Sequence, residues 1–238
     1  MGEAMSEVAQ PLSFGIVAEG AADHTVLKRI LAGYFDNPDL ATNPLQPLRD
    51  ATGTFESGGW AQVLEYCQSE KFRSAFSFND YIIIQIDTDI SDKHPSYGIS
   101  HHSESGPKSP EQLVSEVCAK LIEQMGKAFY DAHKQKILFA VCVHSIECWL
   151  LPLYWTDNRR EKIINCMTSL NEQLSKQHGF SIDAKDPRYY DKAAKDYSKR
   201  KKLLAHWHHN PSLKCFIDHL EARFQRGFVQ PEAKPSSR

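Results

Sequence analysis

The chain has 238 residues, of which 41% are hydrophobic and 24% are charged, and its formal net charge at pH 7 is -2. This composition is typical of a soluble globular protein, and the charge excludes a broadly basic nucleic-acid coat but allows a local basic patch. No apolar run approaches the roughly 20 residues of a membrane span, and the polar, acidic N-terminus does not resemble a secretory signal. We therefore expect a cytoplasmic protein.

Six cysteines are scattered along the chain without a C-x-x-C pair. Cys118 and Cys142 lie in apolar segments, a setting that favours buried, reduced thiols over a disulfide framework. This pattern agrees with the cytoplasmic interpretation.

The first strong pattern is an apolar run that ends in an acid. Residues 14–18 predict a buried strand, and residues 21–34 have the spacing of a helix. Glu19 follows the strand at its carboxyl end, where open α/β sheets place their ligands. Asp23 lies one helical turn further on and can face the same crevice.

The middle of the chain contains the clearest strand. Residues 37–59 hold three prolines and three glycines, so we expect a long connection with at most a short strand at 53–55. Residues 60–72 have helical spacing. Residues 81–87 (YIIIQID) predict a strand that is covered on both faces. It ends in Asp87-Thr88-Asp89, whose two acids point the same way in an extended segment.

A polar loop to about residue 110 contains His94, His101 and His102, which fit either a phosphate-binding role or a plain surface. Residues 110–130 predict a helix, and 136–143 a third buried strand. A helix follows with Ser145 as its expected N-cap.

From residue 157 to 226 the pattern is helical. Within it, residues 184–204 carry eight Lys or Arg against three Asp. This stretch could follow a nucleic-acid backbone, with Tyr189, Tyr190 and Tyr197 stacking on unpaired bases. The alternative is a solvated helix face whose aromatic residues belong to the core. The histidines of 206–209 (HWHH) lack cysteine partners at zinc-finger spacing, so an ordinary helix end is expected there.

Each predicted strand is followed by acids, namely Glu19, then Asp87 and Asp89, then Glu147. Parallel strands share one carboxyl edge, so these side chains should converge with Asp23. Five clustered carboxylates repel one another unless a cation neutralises them, and hard oxygen ligands suit Mg²⁺ or Mn²⁺. Two such ions about 4 Å apart can clamp a phosphodiester. Taken singly, an acid after a strand is more often a helix cap or a solvated loop residue.

These motifs, in this order, resemble a known domain. Glu19-Gly20 with Asp23, followed by Asp87-Thr88-Asp89, resembles the Toprim domain of topoisomerases, primases and the overcoming-lysogenisation-defect nucleases. The segment 145–147 (SIE) is similar to the S-x-E motif of those nucleases and of their stand-alone relatives in phage defence. Residues 146–151 (IECWLL) and 210–216 (NPSLKCF) also resemble small Toprim-like proteins. The resemblance covers 12–155 as a fold and 185–220 more loosely.

The resemblance implies roles for individual residues. Glu19 would bind metal or act as general base, and Asp87 and Asp89 would hold a divalent ion with support from Asp23. Ser145 and Glu147 would complete a second metal site. A later lysine would stabilise the charge of the transition state, with Lys199, Lys201 and Lys202 as candidates. Nucleic-acid contacts are expected from Lys185, Arg188, Lys192, Lys195 and Arg200.

We therefore predict an α/β protein with a Toprim-like, mainly parallel sheet flanked by helices and an all-helical C-terminal extension. The predicted divisions are a flexible leader (1–10), the α/β core (11–156), the extension packed on the core (157–228) and a disordered tail (229–238).

The predicted function is that of an endonuclease that cuts DNA or RNA with two ions of Mg²⁺ or Mn²⁺, in bacterial anti-phage defence. The chain has no G-x-x-x-x-G-K-[ST] segment, so an energy-coupled or sensing step would need a partner ATPase or sensor protein. Oligomeric state is left open, a homodimer being one option. The alternative function is a non-catalytic regulatory or protein-binding module on the same scaffold. A phosphotransferase or primase-like accessory ranks last.

Overall fold

Four parallel strands form the central sheet of the computed structural model, which describes residues 12–49, 51–53 and 55–228. The predicted leader (1–10) and the predicted tail (229–238) therefore lie outside the described residues. The strands are β1 (Ser13–Val17), β2 (Ala41–Gln46), β3 (Tyr81–Asp87), β4 (His102–Ser103), β5 (Gly106–Pro107) and β6 (Ile137–Cys142). The order of the strands in the central sheet is β2-β1-β3-β6, and β4 and β5, of two residues each, form a separate hairpin after β3.

Helices cover both faces of this sheet and continue beyond it as a C-terminal extension. No helix in the described ranges is both long enough and apolar enough to cross a membrane. The expectation of an α/β fold with a parallel sheet flanked by helices is confirmed. The helices are α1 (Ala21–Phe35), α2 (Trp60–Gln68), α3 (Glu70–Ala75), α4 (Pro110–Met125), α5 (Lys127–His133), α6 (Ile146–Tyr154), α7 (Cys166–His178), α8 (Pro187–Ala194), α9 (Arg200–His206) and α10 (Pro211–Phe224).

Alternation along the strands divides the core into two layers. On β3, Ile83 packs into the layer that contains α1 and the C-terminal helices, whereas Ile82 and Ile84 pack into the layer of α2 and α4. Because both faces are buried, β3 is continuously apolar instead of alternating with polar residues. The one polar residue inside it, Gln85, is fully buried and belongs to the site described below.

The strand order creates a topological switch between β1 and β3. The chain leaves β1 for β2 on one side and returns to β3 on the other, and Val17 pairs with Ile84 near the carboxyl ends of both strands. Ligands of open α/β sheets bind outside the carboxyl ends of the strands at such a point. The fold therefore places the residues after β1 and β3 side by side at the position where a ligand is expected.

The second strand is the main error of the sequence prediction, which placed at most a short strand at 53–55. The structure forms β2 at Ala41–Gln46, and among the described residues near 53–55 it has an isolated bridge between Arg49 and Phe55. Pro44 lies inside β2, and the strand is half exposed. Both features are compatible with an edge strand, where proline is tolerated, but they hide the strand pattern in the sequence.

Two predicted helices are interrupted. The segment predicted at 60–72 divides at Ser69, whose hydroxyl caps α3 by accepting a hydrogen bond from the Phe72 amide at 3.2 Å. The segment predicted at 110–130 divides at Gly126, which has a φ of 85°. This left-handed conformation suits glycine and ends α4.

The extension packs on α1 through close backbone contact and polar bridges. A Cβ atom added to Gly33 would lie 1.9 Å from the Tyr197 carbonyl oxygen, so only glycine permits this approach. Arg29 donates two hydrogen bonds of 2.8 Å to Asp191 on α8. The indole of Trp149 is buried and donates to the Ser212 hydroxyl at 2.8 Å.

A disulfide joins Cys148 to Cys166 and links α6 to α7. The expectation that no disulfide forms is therefore wrong at this pair, because folding brings together two cysteines that sequence spacing does not relate. Cys118 and Cys142 are free, as predicted, and Cys142 is buried.

Candidate functional site

The carboxyl ends of β1 and β3 bring Glu19 and Asp87 into direct contact. The Asp87 amide donates a 2.7 Å hydrogen bond to Glu19 Oε1. Gln85 bridges the same two residues, since its Oε1 accepts from the Glu19 amide at 3.1 Å and its Nε2 donates to Asp87 Oδ1 at 2.8 Å. Sequence reasoning did not identify Gln85, although a buried amide in an otherwise apolar strand was the available signal.

Asp23 lies in the first turn of α1 and is fully buried. Neither of its carboxylate oxygens has a hydrogen-bond partner among the described residues. Burying a polar group without a partner is costly, and burying a carboxylate is more so. Asp23 is therefore the residue of the site that most needs an external cation or donor.

Glu147 enters from the first turn of α6, as predicted. Its Oε1 accepts a short hydrogen bond from the buried Tyr190 hydroxyl on α8. The charge of Glu147 raises the pKa of both Asp23 and Asp87, after the larger effect of burial on each. Glu19, Asp23, Asp87 and Glu147 thus act on one another electrostatically, and we call these four residues the acid cluster.

One lysine faces the acid cluster. Lys185 Nζ lies 3.7 Å from Asp87 Oδ2. Partial burial lowers the Lys185 pKa, but the charges of the four acids outweigh this effect and raise its pKa overall. Lys185 was predicted to contact nucleic acid. The structure places its ammonium group beside the acids, and the predicted contact with nucleic acid stays a prediction.

The positive charge of Lys185 is too small for all four residues of the acid cluster to be ionised at the same time. Burial and the nearby Asp23 raise the pKa of Glu19 to about 8. Burial raises the pKa of Asp23 to about 6, against the opposing charge of Lys185. The pKa of Asp87 is also raised, by burial and by Glu19. Such shifts in one crevice are typical of functional sites.

Thr88 fixes the turn that carries Asp87 and Asp89. Its amide donates to the carbonyl oxygens of Cys142 and His144 at 3.1 and 3.0 Å, and its hydroxyl accepts from the His144 amide at 2.8 Å. His144 has a left-handed φ of 68°, which these hydrogen bonds hold in place. Asp89 is half-buried, and its charge contributes to the raised pKa of Glu19.

A loop with two glycines packs against the backbone of Glu19. The Gly59 amide donates to the Glu19 carbonyl oxygen at 2.8 Å. A Cβ atom on Gly58 would lie 2.0 Å from the same oxygen. The approach requires glycine at position 58, and sequence reasoning did not connect this loop with the site.

Several predicted residues lie elsewhere. Ser145 occupies the N-cap position of α6, but its side chain makes no capping hydrogen bond. Arg200 donates to the Tyr34 carbonyl oxygen at the end of α1 opposite Asp23, a separation of about 16 Å along the helix at 1.5 Å per residue. The three lysines predicted to be catalytic belong to this distant end: Lys199, Lys201 and Lys202.

The fold places the residues that were predicted to contact nucleic acid in different surroundings. Arg188 donates hydrogen bonds to both carboxylate oxygens of Asp186, whereas Lys192 and Lys195 are exposed. Tyr190 and Tyr197 are buried, so the prediction that they stack on bases is wrong. Both hydroxyls bond within the core, because α8 and the turn after it turn inward onto α1 and α6.

Comparison of the chain with protein-family models, with curated proteins and with solved structures finds no match. Across 12–49, 51–53 and 55–228, no three His, Cys, Asp or Glu side chains stand in an arrangement that could hold a metal ion. The chemistry of the donors nevertheless fits a hard cation, since the acid cluster offers only oxygen atoms and two of them, on Asp23, lack any described partner.

Proposed function

We propose that this protein is a divalent-metal-dependent nuclease of the Toprim type, which hydrolyses phosphodiester bonds of DNA or RNA. The observation that carries the proposal is the buried Asp23 carboxylate, without a described partner, inside a cluster of four acids at the sheet's topological switch. A metal site explains why acids with raised pKa values are placed together at this point.

Glu19, Asp23, Asp87 and Glu147 would hold the ions, with Asp89 at the edge of the site. Bound Mg²⁺ or Mn²⁺ would supply Lewis-acid stabilisation of charge on the phosphate oxygens. The order of the motifs, from Glu19-Gly20 to Ser145-Ile146-Glu147, supports the Toprim assignment. Ser145 has no capping role that competes with a role at the site.

The chain's own residues account for proton and charge movements. Glu19 accepts the proton of the attacking water as general base when its carboxylate is ionised; with a pKa of about 8 in the metal-free protein, the ionised fraction grows as pH rises. The water oxygen forms a bond to phosphorus while the bond to the leaving sugar oxygen breaks, and the leaving oxygen takes a proton from solvent to become a hydroxyl. The Lys185 side chain is 55% exposed, so its ammonium can turn from Asp87 to the phosphate oxygens and stabilise their charge. Tyr190 holds Glu147 in position.

A partner ATPase or sensor, a role in bacterial anti-phage defence and a cytoplasmic location belong to the same proposal. The lack of a phosphate-binding loop in the sequence supports the partner ATPase or sensor. The resemblance of the motifs supports the role in defence and, with it, the cytoplasmic location.

Cleavage assays test the proposal directly. Plasmid DNA and total RNA are incubated with the full chain in EDTA, Mg²⁺ or Mn²⁺, beside Glu19→Gln and Asp87→Asn. We expect cutting that requires metal and falls at least about 1,000-fold in both variants, a loss typical of key catalytic groups. Asp183→Asn is the matched control, because Asp183 is an exposed acid close to Lys185 in sequence.

A non-catalytic scaffold makes a different prediction. Wild-type protein would then cut neither polymer in any metal, and calorimetry would detect no Mg²⁺ or Mn²⁺ binding that Glu19→Gln abolishes. That pair of results would replace the nuclease by a protein-binding module. Metal binding without cutting would instead indicate that a partner is needed to release the activity.

A further inference from the structure

A groove of about 640 Å³ crosses the extension between α6, α7, α8 and α9. Three lysines line it, and we call it the lysine groove: Lys192, Lys195 and Lys202. Lys192 and Lys195 are exposed, and neither lies within ion-pair distance of an acid in the described part of the chain. Lys202 is 3.9 Å from Asp196, which also lines the groove. The lining charge is therefore positive overall.

A continuous row of aromatic rings accompanies these lysines. The Tyr154 and His178 ring centroids are 5.8 Å apart, and those of His178 and Phe180 are 6.3 Å apart. Phe180 then stacks on Tyr189 at 5.9 Å with an interplanar angle of 29°. Tyr154, Phe180 and Tyr189 are half-buried and His178 is exposed, so each ring keeps accessible surface.

Helix α8 connects the lysine groove with the acid cluster. Lys185, which faces Asp87, directly precedes this helix, and Tyr190 reaches inward from it to Glu147. The adjacent Tyr189 lies on the side of Phe180, where Lys192 Nζ is 5.5 Å from the Tyr189 ring and 5.8 Å from the Phe180 ring. The eight residues of α8 span about 12 Å at 1.5 Å per residue, a distance that a few nucleotides cover.

We propose that the lysine groove binds single-stranded nucleic acid and leads it to the acid cluster. The lysines would contact phosphates, and the row of rings would stack on bases, whose faces are accessible only when they are unpaired. This proposal rests on the proposed function, which accounts for cleavage of the strand at the acid cluster. It adds that the substrate is single-stranded and that it reaches the acid cluster through the lysine groove. A duplex offers phosphates but no free base faces, so it can contact the lysines but cannot stack on the aromatic rings.

Binding in EDTA tests this independently of cleavage. Fluorescence anisotropy measures the affinity of the full chain for labelled oligo(dT) and oligo(U) of about 12 nucleotides, within the range of known single-strand sites, and for a duplex of equal length. We expect the single strands to bind at least about 10-fold more tightly than the duplex. Equal or tighter binding of the duplex would overturn the proposal, as would no binding of either strand.

Paired variants locate the site. Lys192→Ala/Lys195→Ala should weaken binding about 10-fold and reduce the slope of log affinity against log salt by about 1.4, at about 0.7 for each lost single-strand phosphate contact. Lys71→Ala/Lys136→Ala removes the same charge from exposed positions outside the groove and should change neither value. Equal losses in the two double variants would show a general charge effect and overturn the assignment to the groove.

Phe180→Leu tests the rings while it keeps an apolar side chain. It should weaken binding of the single strand about 10-fold and leave heparin binding unchanged, because heparin has charge but no bases. If heparin binds as tightly as the strand and Phe180→Leu affects neither, the groove is a site for polyanions in general and the proposal fails. If the strand binds as expected, but no polymer is cut in any metal and calorimetry detects no metal binding that Glu19→Gln abolishes, the nuclease proposal fails while the groove proposal stands.

Discussion

The acids of the extension and those of the acid cluster have opposite electrostatic surroundings. In the extension, hydrogen bonds from Arg159 lower the pKa of Asp157 to about 2, and hydrogen bonds from Arg188 lower that of Asp186. In the acid cluster, burial raises the pKa of each of Glu19, Asp23 and Asp87. Each acid of the first group has its own arginine partner, whereas the acids of the second group share Lys185.

The difference indicates what each group of acids does for the protein. Asp157 and Asp186 accept backbone amide hydrogens at helix starts, so their charge supports local structure. The acid cluster makes the metal-free fold less stable, because its acids must be buried, protonated or left without a partner. Natural proteins keep such a cost at functional sites. The following predictions test this contrast.

Among the predictions that compare these two regions, the largest effect is expected from loss of the lysine at the acid cluster. Lys185→Ala should reduce metal-dependent cleavage about 100-fold, the range for removal of one charge-stabilising donor, and destabilise the metal-free protein. Arg188→Ala is the control, because it removes an exposed cation only three residues away that pairs with Asp186. Single-turnover cleavage and urea unfolding measure both variants. Equal activity of Lys185→Ala and Arg188→Ala would remove Lys185 from the mechanism.

A second prediction compares two close backbone approaches. An added Cβ would lie 2.0 Å from the Glu19 carbonyl oxygen in Gly58→Ala and 1.9 Å from that of Tyr197 in Gly33→Ala. We expect each variant to lose about 2 kcal/mol of unfolding free energy, as overpacked sites do. At a temperature where both are folded, only Gly58→Ala should also lose activity, by about 100-fold, because it displaces Glu19.

Urea titrations and cleavage rates separate these two effects. Full activity in folded Gly58→Ala would mean that the position of the Glu19 backbone does not matter to the site. An equal loss of activity in Gly33→Ala would mean that the contact of α1 with the extension controls the acid cluster.

The acid cluster was predictable to the extent that it follows from strand ends. Parallel strands share an edge, so Glu19, Asp87 and Glu147 could be placed together once three apolar runs were identified. The bounds of β3 follow from its β-branched run, which ends at Asp87. Strand β2 was missed because an edge strand with Pro44 lacks that pattern.

The remaining features depend on contacts between distant parts of the chain. Lys185 stands among many basic residues in the sequence, and only the packing of α8 on α1 and α6 selects it over Lys199, Lys201 and Lys202. Gly58 resembles any loop glycine until its approach to the Glu19 backbone is known. Tyr190 and Tyr197 looked available for stacking because sequence position does not reveal which face of a short helix is buried.

The third prediction uses the raised pKa of Glu19. Its folded-state pKa is about 8 and its ordinary value is 4.5, so the folded protein binds more protons than the unfolded chain between these values. The stability from Glu19 is therefore fully present below about pH 4.5 and is lost as pH rises through about 8. Glu19→Gln keeps an oxygen that can accept from the Asp87 amide. It should exceed the wild type by about 1 kcal/mol at pH 8.5 and by less at pH 5.

Urea unfolding in EDTA from pH 5 to 9 measures this difference. Glu65→Gln, at an exposed position on α2, should follow the wild type at every pH. Added Mg²⁺ should stabilise the wild type at pH 8.5 more than Glu19→Gln, since a ligand that binds the folded state raises its stability. If the difference in unfolding free energy between Glu19→Gln and the wild type is the same at every pH from 5 to 9, the pKa of Glu19 is not raised.

The smallest effect is expected where an acid of the extension already has its partner. Asp191→Asn should lower the unfolding free energy by about 0.5 kcal/mol, as for exposed ion pairs, because the Arg29 and Asp191 side chains are 33% and 46% exposed. A double-mutant cycle with Arg29→Gln isolates the coupling, which should fade in about 1 M salt. The matched variant Asp23→Asn should instead stabilise the metal-free protein at pH 8, above the Asp23 pKa of about 6. If Asp23→Asn destabilises as Asp191→Asn does, the acids at the strand ends are structural and the contrast between the two regions is lost.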